Sequence, residues 1–236
     1  MNCSEVLRAN KWLVDKELCI LTWGNVSYLD RDESILYIKP SGANLDELSP
    51  KQISQVSYET NELLGGLSPS VDTPTHLELY KQFGSRHQVP YGVNSIVHTH
   101  SVYATAFAQA GSPIPCLGTT HADYFFGEIP CVPQPTEEEV EEDYEKNTGK
   151  CIANYFISNG INPMEVPAAL VQGHGVFCWG KTIEDALEIS MIVEKVAQMA
   201  SITLSMLPLR TCGGLSPYLL KKHYLRKHGT NNYYGQ

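Results

Sequence analysis

The chain has 236 residues, 42% of them hydrophobic and 18% charged, which suits one globular domain with a full core and requires no second one. A formal net charge of −9 excludes nucleic acid and anionic membrane as main partners. Seven scattered cysteines (Cys3, Cys19, Cys116, Cys131, Cys151, Cys178, Cys212) form no Cys-x-x-Cys pair, and no apolar run reaches signal-peptide or membrane length, so the expectation is a soluble, cytoplasmic protein with free thiols.

Val6, Leu7, Leu13, Val14 and Leu18 recur at helical spacing and predict an opening amphipathic helix. Ile35 to Ile38 reads as a strand stopping at Lys39-Pro40-Ser41-Gly42. Asp72 as N-cap and Pro74 in the first turn predict a helix over Asp72 to Phe83. Val93 to Val97 is rich in β-branched residues and reads as a strand leading into His98-Thr99-His100, with a helix from Tyr103 ending near Gly111. Thr136 and Glu139 make a capping box, so the acidic run Glu137 to Asp143 reads as the solvated start of a helix whose inner face carries Tyr144, Ile152, Tyr155 and Phe156. Ala168 to Val171 is a further strand, and a last long helix runs from Thr182 towards Leu207. Strands and helices alternate without repeat or linker, which gives one α/β domain over residues 1–236.

On a strand His98 and His100 face the same way, close enough to chelate a divalent metal without bending the backbone. His174, in Gln172-Gly173-His174-Gly175 after the 168–171 strand, supplies a third imidazole. Three histidines with an open fourth position describe a catalytic metal site, zinc being the usual occupant, though His-x-His with a distant histidine names a metal rather than a reaction. Gly24-Asn25 and Ser41-Gly42 lie at strand ends, where backbone N–H groups, an amide and a hydroxyl can hold a phosphate, with Lys39 adding a cation. Asp123, in Thr119-Thr120-His121-Ala122-Asp123-Tyr124 beside Phe125 and Phe126, is a candidate general acid/base whose pKa the aromatics would raise. Lys221, Lys222, His223, Arg226, Lys227 and His228 make a basic C-terminal segment on an acidic protein, which predicts docking against an anionic site, on a neighbouring subunit or elsewhere.

These segments, with Trp23-Gly24-Asn25-Val26-Ser27, Asp72-Thr73-Pro74-Thr75-His76, Gly118 to Phe125 and the terminal Tyr233-Tyr234-Gly235-Gln236, resemble the 4-epimerase branch of the class II sugar-phosphate aldolase/epimerase family over nearly the whole chain. The resemblance implies a three-layer fold, a central mostly antiparallel β-sheet flanked by helices on both faces. It implies a metal site of Asp72, His98, His100 and His174, holding one divalent ion per subunit. Asp123 and Tyr234 would be the acid/base pair, the tyrosine lent by an adjacent subunit of a cyclic homotetramer. Gly24, Asn25, Ser41, Gly42 and Ser70 would hold the substrate and its phosphate. Val71 stands where the family has a second serine, which leaves one phosphate hydrogen bond without its usual donor.

The implied activity is interconversion of L-ribulose 5-phosphate and D-xylulose 5-phosphate. C4 is not α to the carbonyl, so simple proton removal cannot invert it, and no Gly-x-Gly-x-x-Gly stretch offers a nicotinamide route. The remaining route is retro-aldol cleavage between C3 and C4, rotation of the glycolaldehyde phosphate, and re-addition to its other face, with a divalent metal as Lewis acid. The competing enzyme reading is an aldolase releasing dihydroxyacetone phosphate and an aldehyde. That branch carries glutamate followed by tryptophan where Asp72-Thr73 stands here. A zinc-stabilised structural protein would instead have a closed metal site and no phosphate loops.

Overall fold

The computed structural model describes residues 3–84, 92–206, 213–230 and 232–233. The opening apolar spacing forms α1 (Cys3–Asp15), which buries Val6, Leu7, Ala9 and Leu13. Leu18 is also buried but lies beyond the helix, and Val14 is exposed. Eight strands follow in one sheet: β1 (Asn25–Asp30), β2 (Ile35–Ile38), β3 (Ser54–Ser57), β4 (Leu63–Gly65), β5 (Ser95–Thr99), β6 (Cys131–Val132), β7 (Ala168–Val171) and β8 (Val176–Gly180). Their order is β4-β3-β2-β1-β5-β8-β7-β6, and only β6 and β7 pair in parallel. The first four strands form a local meander. β5 then returns from far along the chain to lie between β1 and β8.

Alternation along β8 sorts the helices into two layers. Trp179 packs on Phe83 and Phe156, with ring centroids 5.0 and 5.3 Å apart. This brings α2 (Thr73–Phe83) and α5 (Glu137–Ser158) to one face. On the other, α6 (Ile183–Met206) lies across β5 and β8 and packs on α1 and α3 (Val102–Gln109). The helix-sheet-helix layering that the resemblance implies is therefore present. A short α4 (Thr119–Ala122) carries α7 (Pro217–His228) against it.

The long helices start as their caps predict. The Thr136 backbone N–H donates to Glu139 Oε2 at 2.8 Å, and the Glu139 N–H to Thr136 Oγ1 at 3.3 Å. Thr182 and Asp185 make the same reciprocal pair, both bonds 3.1 Å. The predicted end of α6 at Leu207 lies outside the described residues. Two features depart from expectation. Asp72 occupies the cap position of α2 but has helical backbone angles (φ −73°, ψ −1°) and its side chain does not cap the helix. Within α5, Asp143 adopts φ −167° and ψ 84°, a kink that re-aims Tyr144 and Glu145. The described cysteines are free thiols, and no helix is long and apolar enough to cross a membrane among the described residues.

Candidate active site

His98 sits near the end of β5, paired with Asn25 on β1 and Phe177 on β8. The Phe177 ring stacks under its imidazole at 4.2 Å. His100 lies one residue past the strand, yet alternation still aims it beside His98, with the two Nε2 atoms 3.1 Å apart. His174 enters from the β7–β8 turn. Gly175 admits it: a Cβ there would stand 2.7 Å from the Thr99 carbonyl oxygen and 3.3 Å from the His98 ring. One ligand atom from each of the three histidines falls within 4.8 Å of the others.

The donors suit a divalent cation. Burial holds the imidazoles of His98, His100 and His174 below their ordinary value, so each is neutral and carries a lone pair. His98 Nδ1 faces the Val176 carbonyl oxygen at 3.0 Å, which only accepts. The His98 proton therefore resides on Nδ1 and leaves Nε2 bare. Tyr144, delivered by the α5 kink, places its hydroxyl 3.3 Å from His174 Nδ1.

Asp72, expected in the metal set, lines the same cleft as the histidines and is engaged by its neighbours. Its Oδ2 accepts from Asn25 Nδ2 at 2.6 Å and from Ser70 Oγ at 3.3 Å, and among the described residues the ligand cluster comprises the three histidines alone. Burial would raise the Asp72 carboxyl, but its polar surroundings, the donating Asn25 amide among them, outweigh it and hold it low. This engagement explains why Asp72 does not cap α2. Asn25 is brought against His98 by Gly24, whose φ of +101° and lack of a Cβ are both required: a Cβ would lie 2.6 Å from the His98 carbonyl oxygen.

These residues line one cleft of about 570 Å³, within the range of small-molecule sites. Gly24, Asn25, Ser70 and Asp72 form its wall beside the histidines. Lys39, Ser41 and Gly42 line it as well, and so does Val71, which is 64% exposed. Lys39 is only 3% exposed; its Nζ donates to the Thr22 carbonyl at 3.2 Å, and burial lowers its pKa. Tyr144 and Glu145 also line the cleft, and the residue pattern gave no sign of it.

Asp123 lies outside this cleft, at the end of α4. Arg226 grips it with two bonds (Nε to Oδ1 2.9 Å, Nη2 to Oδ2 2.7 Å), and His223 Nδ1 lies 3.1 Å from Oδ1. His228 reaches its backbone carbonyl at 2.8 Å. The basic C-terminal segment thus docks on an anionic residue of its own chain. The expected upward pKa shift is overturned: burial does push the carboxyl up, but Arg226 and His223 prevail and lower it. Tyr234 lies outside the described residues.

The class II aldolase and adducin N-terminal domain model matches residues 4–201, and the chain belongs to that family, which is metal-dependent. An L-fuculose 1-phosphate aldolase shares the fold, with TM-score 0.73 at 21% identity over 94% of this chain and 93% of that one. YgbL from Klebsiella pneumoniae gives TM-score 0.70 at 24% identity, over 94% and 99%. Two proteins named L-ribulose-5-phosphate 4-epimerase UlaF are closer in sequence. They come from Salmonella paratyphi C (strain RKS4594) and Salmonella choleraesuis (strain SC-B67), and each is 44% identical over 232 residues, 98% of this chain and 97% of theirs.

Proposed function

We propose that residues 1–236 act as one domain that interconverts L-ribulose 5-phosphate and D-xylulose 5-phosphate, as a cytoplasmic homotetramer with one zinc or other divalent ion per subunit. The observation that carries this reading is a single cleft lined by three lone-pair imidazoles together with Lys39, Ser41 and Gly42. The near-full-length 44% identity to the UlaF epimerases supports the choice of substrate.

In this reading Lys39, Ser41, Gly42, Ser70 and the Gly24-Asn25 turn bind the phosphate and orient the ketose chain. A base removes the proton from the C4 hydroxyl, the C3–C4 bond breaks, and its electron pair moves towards the C2 carbonyl oxygen. A divalent metal on His98, His100 and His174 supplies Lewis-acid stabilisation for that negative charge. The two-carbon aldehyde turns over while its phosphate stays held, the bond re-forms on its other face, and a second group returns the proton to O4. Asp123 and Tyr234 fill these two roles, the cleft of one subunit being completed by its neighbour. Held low by Arg226 and His223, Asp123 is ionised at neutral pH, the form a proton acceptor requires, but its lowered pKa makes it a weak base in this arrangement. Asp72, with its short side chain fixed on Asn25, shapes the cleft rather than relaying protons, which favours epimerase over aldolase.

A coupled assay following D-xylulose 5-phosphate from L-ribulose 5-phosphate tests the proposal. Metal-dependent turnover is expected; cleavage of a ketose 1-phosphate with no epimerisation would replace it with the aldolase reading.

A further inference from the structure

Beneath the Asn25–Asp72 contact lies a second polar set that this reaction scheme leaves unused. Ser27 is two residues along β1 from Asn25, so both side chains share a sheet face. His76 is one turn along α2 from Asp72, and its backbone N–H donates to the Asp72 carbonyl at 3.1 Å. Strand and helix therefore meet in two rungs: Asn25 with Asp72 at the cleft, and Ser27 with His76 one step deeper. Ser27 Oγ lies 2.7 Å from His76 Nδ1 and 2.7 Å from the hydroxyl of Tyr80, a further turn along α2. His76, Ser27 and Tyr80 are each 0% exposed. Burial keeps His76 neutral, so its single ring proton sits on one nitrogen or the other.

Two fully buried polar atoms at these rungs lack a hydrogen-bond partner, His76 Nε2 and Asn25 Oδ1. The Ser27 hydroxyl has one proton and two neighbours. Given to Tyr80, it leaves the His76 proton on Nδ1 and a bare lone pair on Nε2, where the polar groups of the next rung, Asn25 Oδ1 and the Asp72 carboxylate, only accept. Given to His76 Nδ1, it puts the ring proton on Nε2, from where one buried water can link it to those acceptors. Orphaned buried groups are costly enough to decide between the two.

We propose that Tyr80, Ser27 and His76 form a positioning chain: it fixes the Nε2–H tautomer of His76, whose N–H supports the Asn25 carbonyl oxygen through one buried water. That support sets the orientation of the Asn25 amide. Its nitrogen then stays on Asp72 and Ser70, and the cleft wall keeps its shape for the sugar phosphate. Turned over, the amide would set its oxygen against the Asp72 carboxylate.

The kinetic part of the test rests on the epimerase reading; the spectroscopic part does not. In the zinc-loaded full-length protein labelled with ¹⁵N-histidine, a long-range ¹H–¹⁵N spectrum reports which ring nitrogen is protonated, the His76 signals being those lost in His76→Gln. Protonated Nε2 and bare Nδ1 are expected; the reverse overturns the proposal. In the coupled assay Ser27→Ala and His76→Asn, which reaches only the Nδ1 position, should raise KM about tenfold with kcat within about threefold, the worth of one lost hydrogen bond. His76→Gln keeps an amide N–H near the Nε2 position and should stay within about threefold of the parent on both constants. Equal losses in His76→Gln and His76→Asn, or an unchanged KM throughout, also overturn it. If the parent itself fails to epimerise, the epimerase reading fails and the tautomer alone decides the proposal.

Discussion

One ring at His98 serves several partners at once: Phe177 stacks on it, the Val176 carbonyl takes its Nδ1 proton, and His100 meets its Nε2 edge. Replacing it with asparagine removes the central donor but keeps a small polar group in the strand. His98→Asn is expected to lose most bound metal and most activity while its far-UV circular dichroism stays that of the parent; full metal occupancy by elemental analysis would refute the ligand assignment. Asn25→Ala should raise KM about tenfold with little change in kcat, since contacts to a non-reacting phosphate act alike in ground and transition states. A collapse of kcat at constant KM would move Asn25 into the chemistry. The His98–His100 pair was legible because strand alternation is a local rule. The engagement of Asp72 was not, because the amide that turns it away from its helix lies 47 residues upstream. Asp123 was misread for the same reason: neighbouring aromatics argued for a raised pKa, while the guanidinium that lowers it arrives from 103 residues away.

Among the elements, the helices with explicit caps were readable almost to the residue, as Thr136–Glu139 and Thr182–Asp185 illustrate. Strands β4 and β6, three and two residues long, are too short to carry a period, and the Asp143 kink follows no local signal. The kink matters because α5 must then run close along α2. At Gly149 a Cβ would come within 2.8 Å of both Glu78 Cβ and the Thr75 carbonyl oxygen. Gly149→Ala should therefore push the two helices apart and lower stability by about 1–3 kcal/mol in chemical denaturation, despite the better helix propensity of alanine. An unchanged or higher midpoint would show that the contact yields freely. The docking of α7 on α4 has its own pH signature. Because the folded carboxyl of Asp123 titrates below its ordinary value, its contribution is complete above about pH 4–5 and is lost as pH falls through the lowered pKa. The gap in melting temperature between the parent and Asp123→Asn should be constant near neutrality and shrink on acidification below about pH 4. A gap that persists at pH 2 would mean that Asp123 acts by shape alone.

For the whole molecule, the cleft within one chain is lined by the histidines, Lys39, Ser41 and Gly42 but not by Asp123, so the proposed acid/base pair needs an assembly to complete it. Tyr234→Phe and Asp123→Asn should each cut epimerisation by about 10²–10⁴, the usual worth of one proton-transfer group. Mixed assemblies of the two inactive proteins should recover part of the activity where the two groups reach one cleft from different chains. No recovery despite proven subunit exchange would place both groups on one chain or remove one from the reaction. The sheet order has a further consequence, for how the protein matures. Strands β1 to β4 pair with near neighbours in sequence, whereas the ligands wait for β5 to find β8, a closure of 78 residues between His98 and Val176. Long closures are slow because chain entropy is spent before any contact rewards it. In the metal-dependent reading proposed above, an ion could not be captured by the three histidines until that pairing exists, and once captured it would favour the closed chain by mass action. Metal uptake during refolding would then serve as a clock for that non-local pairing, and a cell short of the ion would hold a larger share of newly made chains with the sheet still open at its centre.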